Sequence, residues 1–366
     1  MSLMVGANTG TFESFFFYKG EIELRYNDVE HMYYRIAKNR LLPQDGVTTV
    51  VKIPDKSDML MPWSCKMMAA KLTANLPIIQ TASGRLMVSA MPYEKFYTLV
   101  MDAKSAHKER LIEAADIGKE AHGWLESFIK KELGRIDVLP PAPIEPQALS
   151  CCEGALQWMD AHNVRWLQTE RKVYSLEFVY AGTMDGLCYC DSCTDPFCCP
   201  RLFQDRLSLI DWKSSNYLYV NYCMQTAAYA AALQEEWRYK STIAQPRIID
   251  RWVIRMAKDS DAPKLFETWH LEEPDFDRDF AGFLTCLELT RTMRDLRNRM
   301  DDVADLLKAH NKAVKKEERL ADKMRKCAKA DKYQGIKGPP KCVDGLPCET
   351  CLKKFLDRHP ATAVDS

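Results

Sequence analysis

Between Gly182 and Tyr229 the chain strings together two short apolar runs and a helical stretch, each carrying polar residues that packing alone does not require. The first run ends in Gly182-Thr183-Met184-Asp185-Gly186, the second is Leu209-Ile210-Asp211-Trp212-Lys213, and the helical stretch holds Gln225 and Tyr229. Side chains alternate faces along a strand, so Asp211 and Lys213 point one way while Ile210 and Trp212 point the other. Asp185 closes its own apolar run, Phe178-Val179-Tyr180, and a neighbouring strand would bring its carboxylate beside Asp211. Residues 217–234 read as a helix, in which the four-residue step from Gln225 to Tyr229 stacks both on one face.

Two carboxylates suit a hard divalent cation such as Mg²⁺ or Mn²⁺, which takes oxygen donors and keeps positions open for a phosphate and an attacking water. Lys213 would orient or acidify that water. The ordered set Gly-Thr-x-Asp, apolar-Asp-x-Lys and Gln-x-x-x-Tyr resembles the core of the PD-(D/E)XK nucleases, and more narrowly the RecB-type branch of phage and mitochondrial exonucleases. That branch has a metal-binding histidine on an upstream helix, which His122 in Gly118-Lys119-Glu120-Ala121-His122 matches. The resemblance runs roughly from Gly118 to Leu233. It implies an αβββαβ core within a mixed α/β fold and metal-dependent cleavage of DNA. It also implies metal ligation by His122, Asp185, Asp211 and the Trp212 carbonyl, with Lys213, Gln225 and Tyr229 completing the site. An acid often stands on the first core strand of the family, which makes Glu170 a further candidate; paired with Arg171 or Lys172 it is equally well a solvated strand residue.

With 366 residues, 46% hydrophobic and 28% charged, the chain can bury a sizeable core. Lys+Arg and Asp+Glu both total 51, so no global positive field advertises a nucleic-acid partner and DNA contact would rest on local basic patches. No long apolar run or export signal stands out, which predicts a cytoplasmic protein with no membrane partner. In that compartment the 14 cysteines are better read as free thiols or metal ligands than as disulfides.

Four regions are expected. Residues 1–110 form a β-hairpin and helical extension, and 111–272 the nuclease core with a Cys-rich insertion at 188–199. Residues 273–333 form a long charged helical segment, and 334–366 a Cys-containing tail. Within the extension, residues 11–51 read as strands, and Asp55 to Asp58 as the cap of a helix whose Leu60, Trp63, Met67 and Leu72 belong in the core. Residues 92–131 read as helix with a break near residues 116–118, His122, Leu125 and Ile129 sharing a face. The proline-rich residues 139–146 make a linker or loop. A short helix over 155–162 and the first core strand over 164–173 follow, and residues 248–255 and 265–270 close the core as a hairpin. The basic end of the charged helix, with Lys315, Lys316, Lys323, Arg325 and Lys326, is either a solvated face or a phosphate track.

In the insertion, Cys190-x-x-Cys193 has the bite of a zinc knuckle that Cys198 and Cys199 would complete. At the carboxyl terminus Cys342, Cys348 and Cys351 crowd around Gly and Pro turns. Some RecB-type relatives hold an iron–sulphur cluster with three such cysteines and one upstream, for which Cys65 is available. Their close pair precedes the single cysteine, however, and here the order is inverted. Cys327 as fourth ligand would instead make a local zinc site. The functions that follow are a metal-dependent DNA exonuclease acting with replication or recombination proteins, an endonuclease of restriction or junction-resolving type, or an inactive DNA-binding protein on the same core.

Overall fold

The computed structural model describes residues 11–53, 57–194, 206–244, 246–248 and 250–329, together with Lys353 and Asp357. The chain is a mixed α/β protein that divides into two compact units, Met1–Thr290 and Arg291–Ser366. The first contains an antiparallel meander, β1 (Phe12–Phe17), β2 (Ile22–Asn27), β3 (Met32–Ala37) and β4 (Arg40–Gly46). Its turns follow from local chemistry. Asn27 accepts from the backbone N–H of Val29 and Glu30 through its side chain, and Lys38 and Asn39 take the left-handed conformation that a two-residue hairpin loop requires. Residues 47–51, expected as strand, instead turn into the short helix α1 (Val47–Val50), which buries Val47 and Val50 in the core.

Next come α2 (Ser57–Asn75), a small hairpin of β5 (Ile78–Gln80) and β6 (Leu86–Val88), then α3 (Tyr93–Lys104) and α4 (Ala106–Glu132). The α2 stripe is not core: Leu60 is exposed and Trp63, Met67 and Leu72 are only half-buried, because apolar residues are spread around the whole helix instead of gathered on one side. Asp55 and Lys56 of the expected cap lie outside the described residues. The break between α3 and α4 falls at Ser105, not at residues 116–118. Gly118 is helical, and its missing side chain makes room for Ser214, whose Oγ would stand 2.7 Å from a β-carbon there.

The core continues with α5 (Pro146–Ala161), β7 (Val164–Ser175), β8 (Tyr180–Cys190), β9 (Arg206–Lys213), α6 (Asn221–Arg238), β10 (Asp250–Met256) and β11 (Phe266–Leu271). Helix α5 begins earlier than expected because Glu145 caps it through Ala148 N–H and Pro146 fits its first turn. Strand β8 starts only at Tyr180, since residues 176–179 turn and Val179 is left-handed; Asp185 therefore lies inside the strand, not at its end. Helix α6 likewise starts at Asn221. The sheet runs β1-β2-β3-β4-β8-β9-β10-β11, with β7 paired to β8; β4 is parallel to β8 and β9 to β10, and the other pairs are antiparallel. The meander thus belongs to the sheet of the core.

Two hydrophobic layers sandwich this sheet. On one side Leu125 and Ile129 of α4 and Trp158 of α5 pack against Ile210, Trp212 and Trp252. The Trp158 ring meets the rings of Trp212 and Trp252 edge-on at 5.6 Å, contacts worth about 0.5–1.5 kcal/mol each beyond burial. On the other side Tyr229 and Leu233 of α6 cover Tyr180, Met184 and Leu209. The last helix, α7 (Phe276–Lys329), joins this layer through its first turns, where Phe283 and Leu287 are buried and Asp279 pairs with buried Arg251 at 2.8 Å. That anchoring explains why the first unit extends to Thr290 and not only to residue 272. Leu289 and Met293, further along, are exposed. In the second unit, residues 291–329 are helical, with Lys315 and Lys316 exposed; the side chains of Lys323, Arg325, Lys326 and Cys327 are outside the described residues.

Candidate active site

Strand β9 alternates as expected. Ile210 and Trp212 enter one hydrophobic layer, leaving Asp211 and Lys213 on the face covered by α6. Asp211 is 1% exposed, and the Lys213 ammonium lies 2.5 Å from its Oδ2. That oxygen is therefore held by the ammonium as a buried ion pair. The other oxygen, Oδ1, accepts from Gln225 Nε2 at 3.3 Å, and the same amide nitrogen is 2.9 Å from the Tyr229 hydroxyl. Gln225 and Tyr229 therefore hold one end of the carboxylate while Lys213 faces the other.

Asp185 comes from β8 through a local break in the strand. Met184 and Leu187 both pack in the α6 layer, whereas Cys188 packs in the opposite one, so the regular alternation fails across Asp185-Gly186. Facing it, the pairing skips Glu170 between Thr169↔Gly186 and Arg171↔Met184, and Glu170 is left-handed at φ 49°. A non-glycine residue in that region within a strand is strained, and such irregularities re-aim side chains. Asp185 Oδ2 accepts from the Trp212 backbone N–H at 2.7 Å, which ties the two acidic strands together, and lies 3.8 Å from His122 Nδ1 on α4.

Burial dominates the electrostatics. It pushes the Asp211 carboxyl up to about 6, Lys213 opposing and Asp185 reinforcing the rise, and it raises Asp185 as well. Glu170 is pushed up to about 8 by burial and then by the Asp185 charge. Burial alone would lower the Lys213 ammonium, but Asp211 and Asp185 outweigh it and the pKa rises, so the lysine stays charged at neutral pH. His122 is lowered to about 4 by burial and by Lys213, which leaves a neutral imidazole with a free lone pair.

The sequence-predicted residues thus meet: His122, Glu170, Asp185, Asp211, Lys213, Gln225 and Tyr229 share one neighbourhood, with the Trp212 main chain between the two strands. The donor set of carboxylates and a neutral imidazole fits a hard divalent cation, with Asp211 Oδ2 held meanwhile by the Lys213 ammonium. The side chains stand as pairs, however; among the described residues no group of three or more His, Cys, Asp and Glu is gathered in metal-binding array. Sequence reasoning missed Tyr222, whose ring lies 4.9 Å beneath the Lys213 ammonium and whose hydroxyl donates to Ser215 Oγ. Its place three residues before Gln225, on the same helix face, was the available signal.

The cysteines behave differently. The expected insertion at 188–199 begins three residues later, since β8 runs through Cys190. Cys188 and Cys190 are fully buried in the core with their sulphurs 3.9 Å apart, and Cys193 is half-buried just beyond the strand. Cys198, Cys199, Cys342, Cys348 and Cys351 lie outside the described residues, and Cys65 is exposed on α2.

No protein-family model matches this chain, and no curated protein matches it. Among the described residues no helix is long and apolar enough to cross a membrane.

Proposed function

We propose that the protein is a metal-dependent DNA nuclease of PD-(D/E)XK type, acting from DNA ends. One observation carries the reading. A buried carboxylate, a largely buried one from the adjacent strand, and a lysine that shares a face with the first lie together. A buried cluster of charge is costly to assemble for packing alone, and perturbed groups gathered in this way mark sites of chemistry. The order helix, three antiparallel strands, helix and parallel strand, formed by α5, β7, β8, β9, α6 and β10, agrees with the αβββαβ core that the motifs imply.

Asp185 and Asp211, with His122 as neutral nitrogen donor, would hold Mg²⁺ or Mn²⁺, the Trp212 carbonyl being the further ligand the resemblance implies. When bound, the cation would supply charge stabilisation on the scissile phosphate. Lys213 stays protonated, so it donates hydrogen bonds to the attacking water or to developing negative charge and does not act as the base. Gln225 fixes the rotamer of Asp211, and Tyr229 fixes Gln225. Tyr222 supports the lysine from below through a cation–π contact worth about 0.5–2 kcal/mol. We extend the proposal to structural zinc at Cys190, Cys193, Cys198 and Cys199. At Cys342, Cys348 and Cys351 it is zinc or iron–sulphur, with Cys327 or Cys65 as fourth ligand. Elemental analysis of anaerobically purified protein tests both.

The decisive assay uses end-labelled single-stranded, duplex and covalently closed circular DNA with Mg²⁺ or Mn²⁺. Release of nucleotides from ends, abolished in Lys213→Ala, Asp185→Ala and Asp211→Ala proteins that melt normally, is the expected outcome. Rapid linearisation of circles would point to an endonuclease, and binding without cleavage to an inactive DNA-binding protein.

A further inference from the structure

Next to the carboxylates the meander brings a second set of charges that the chemistry above does not use. Lys172 on β7 projects toward its aromatic face, where the ammonium lies 5.6 Å from the centre of the Phe15 ring and 5.4 Å from that of Tyr26. The register aligns Phe15, Leu24, Arg35 and Leu42 in one row of the meander and Glu13, Tyr26, Tyr33 and Gln44 in the next, all on the same face. Arg35 therefore shares the meander face over which Lys172 sits. Neither has a carboxylate within ion-pair distance among the described residues, and Arg35 Nε is buried without a hydrogen-bond partner. By contrast, the adjacent Arg25 and Arg171 are both paired, with Glu23 and Glu236.

This face leads into the acidic site. The Tyr33 hydroxyl is 2.6 Å from Thr183 Oγ1, two residues before Asp185. Glu170 is near enough to raise the Tyr26 phenol after burial has done so, and Lys172 acts on both Glu170 and Asp185. A cation seated over two rings keeps its charge while the rings supply no acceptor that would neutralise it. With Arg35 on the same face, the arrangement presents two positive groups outside any close ion pair at the rim of a carboxylate cluster, where acidic residues alone would repel a polyanion. Glu13 shares the Tyr26 row and makes no ion pair with either cation.

We infer that Lys172, held over the Phe15 and Tyr26 rings, and Arg35, on the same face of the meander, form a cradle for backbone phosphates of a single DNA strand flanking the bond presented to the carboxylates. This rests on the nuclease reading for the choice of DNA, but it concerns binding and not cleavage. A guanidinium grips a phosphate with two parallel N–H donors and the ammonium acts as a point charge, so the pair would take successive phosphates. Lys172 and Arg35 are positioning residues, touching non-scissile phosphates only.

The test is binding of a fluorescent oligothymidylate in EDTA, so that cleavage does not enter, as a function of salt. Each phosphate contact on a single strand contributes about 0.7 to the log–log salt slope. Lys172→Gln and Arg35→Gln are each expected to weaken binding severalfold at low salt and to lower the slope by about 0.7, and the double variant by about 1.4. Lys264→Gln removes a lysine seated 4.6 Å over the Phe266 ring on β11, and should leave the slope unchanged. Because Lys172→Gln also removes a packing contact, a second readout is needed. Replacing single linkages by neutral methylphosphonates should weaken wild-type binding at one or two positions, and Lys172→Met, which keeps the stem, should erase that penalty. Unchanged slopes, a penalty that persists in both variants, or no binding of the oligonucleotide by the wild-type protein would each overturn the cradle. Binding with the expected slopes but no cleavage in Mg²⁺ would instead overturn the nuclease reading and leave the cradle standing.

Discussion

The Tyr229 ring lies over Gly182 so closely that a β-carbon on that glycine would stand 2.5 Å from Tyr229 Cε1. The Gly-Thr-x-Asp motif on β8 and the Gln-x-x-x-Tyr motif on α6 are thus two halves of one contact. The absent side chain lets Tyr229 reach Gln225, and Gln225 in turn holds Asp211. Gly182→Ala should force the ring away and destabilise the fold by about 1–3 kcal/mol, the usual cost of overpacking a filled core. Urea denaturation gives the stability directly. Cleavage should fall further than stability, since Asp211 loses its brace; an alanine variant with wild-type stability would mean the ring has room to yield.

A second prediction concerns pH. The Glu170 carboxyl, ordinarily near 4.5, is held up to about 8 by burial and by Asp185. Between those values the unfolded chain has released this proton while the folded chain keeps it, so stability falls as pH rises through the interval. Asp211, raised to about 6, contributes in the same direction. His122, lowered to about 4, contributes oppositely, because its unfolded form binds the extra proton, and its effect is complete by about 6.5. Above about 6.5 the His122 contribution is complete, so the difference between wild type and a Glu170 variant reads Glu170. Thermal melts from about pH 6.5 to 8, without divalent metal, should show falling wild-type stability and a flatter Glu170→Gln variant. At pH 8 the variant should be the more stable by on the order of 1–3 kcal/mol. Parallel slopes for the two proteins would remove Glu170 from the carboxylate cluster.

How much of this was legible in the sequence depends on whether a signal was periodic or tertiary. The face shared by Asp211 and Lys213 and the helix face of Gln225 and Tyr229 follow from the 2.0 and 3.6 periods alone, and both hold in the fold. His122 lies on α4 one turn before Leu125 and faces Asp185 at 3.8 Å. Bounds were less readable. Residues 178–179 look like strand by composition, yet a turn reverses the chain there, and Val47-Thr48-Thr49-Val50 is β-branched yet helical because the core takes Val47 and Val50 from one turn. The strain at Glu170 and the break at Asp185-Gly186 left no local mark, since each exists only because β7 and β8 face each other. The α2 stripe misled for a related reason: apolar content signals burial only when it is gathered on one face.

The last prediction is that a divalent cation reverses the sign of a mutation at the acidic pair. Without metal, Asp185 and Asp211 are buried close to each other and to Glu170, and burial raises all three carboxyls, so the folded state carries a penalty for their charge. Asp185→Asn should relieve part of it and raise the melting temperature of metal-free protein, whereas Asp211→Asn also takes the close counter-ion from Lys213 and should gain less or lose. Mg²⁺ or Mn²⁺ binds only the folded arrangement, so at 100 times its dissociation constant it would stabilise the wild type by about 2.7 kcal/mol. The asparagine variants, having lost a charged ligand, should gain little. The order of melting temperatures is then Asp185→Asn above wild type in EDTA and wild type above Asp185→Asn in excess metal. Differential scanning calorimetry with a titration of each ion reads both halves. A wild-type protein indifferent to both ions, or asparagine variants that respond as it does, would separate the carboxylates from metal binding, leaving Asp211 and Lys213 as a structural ion pair.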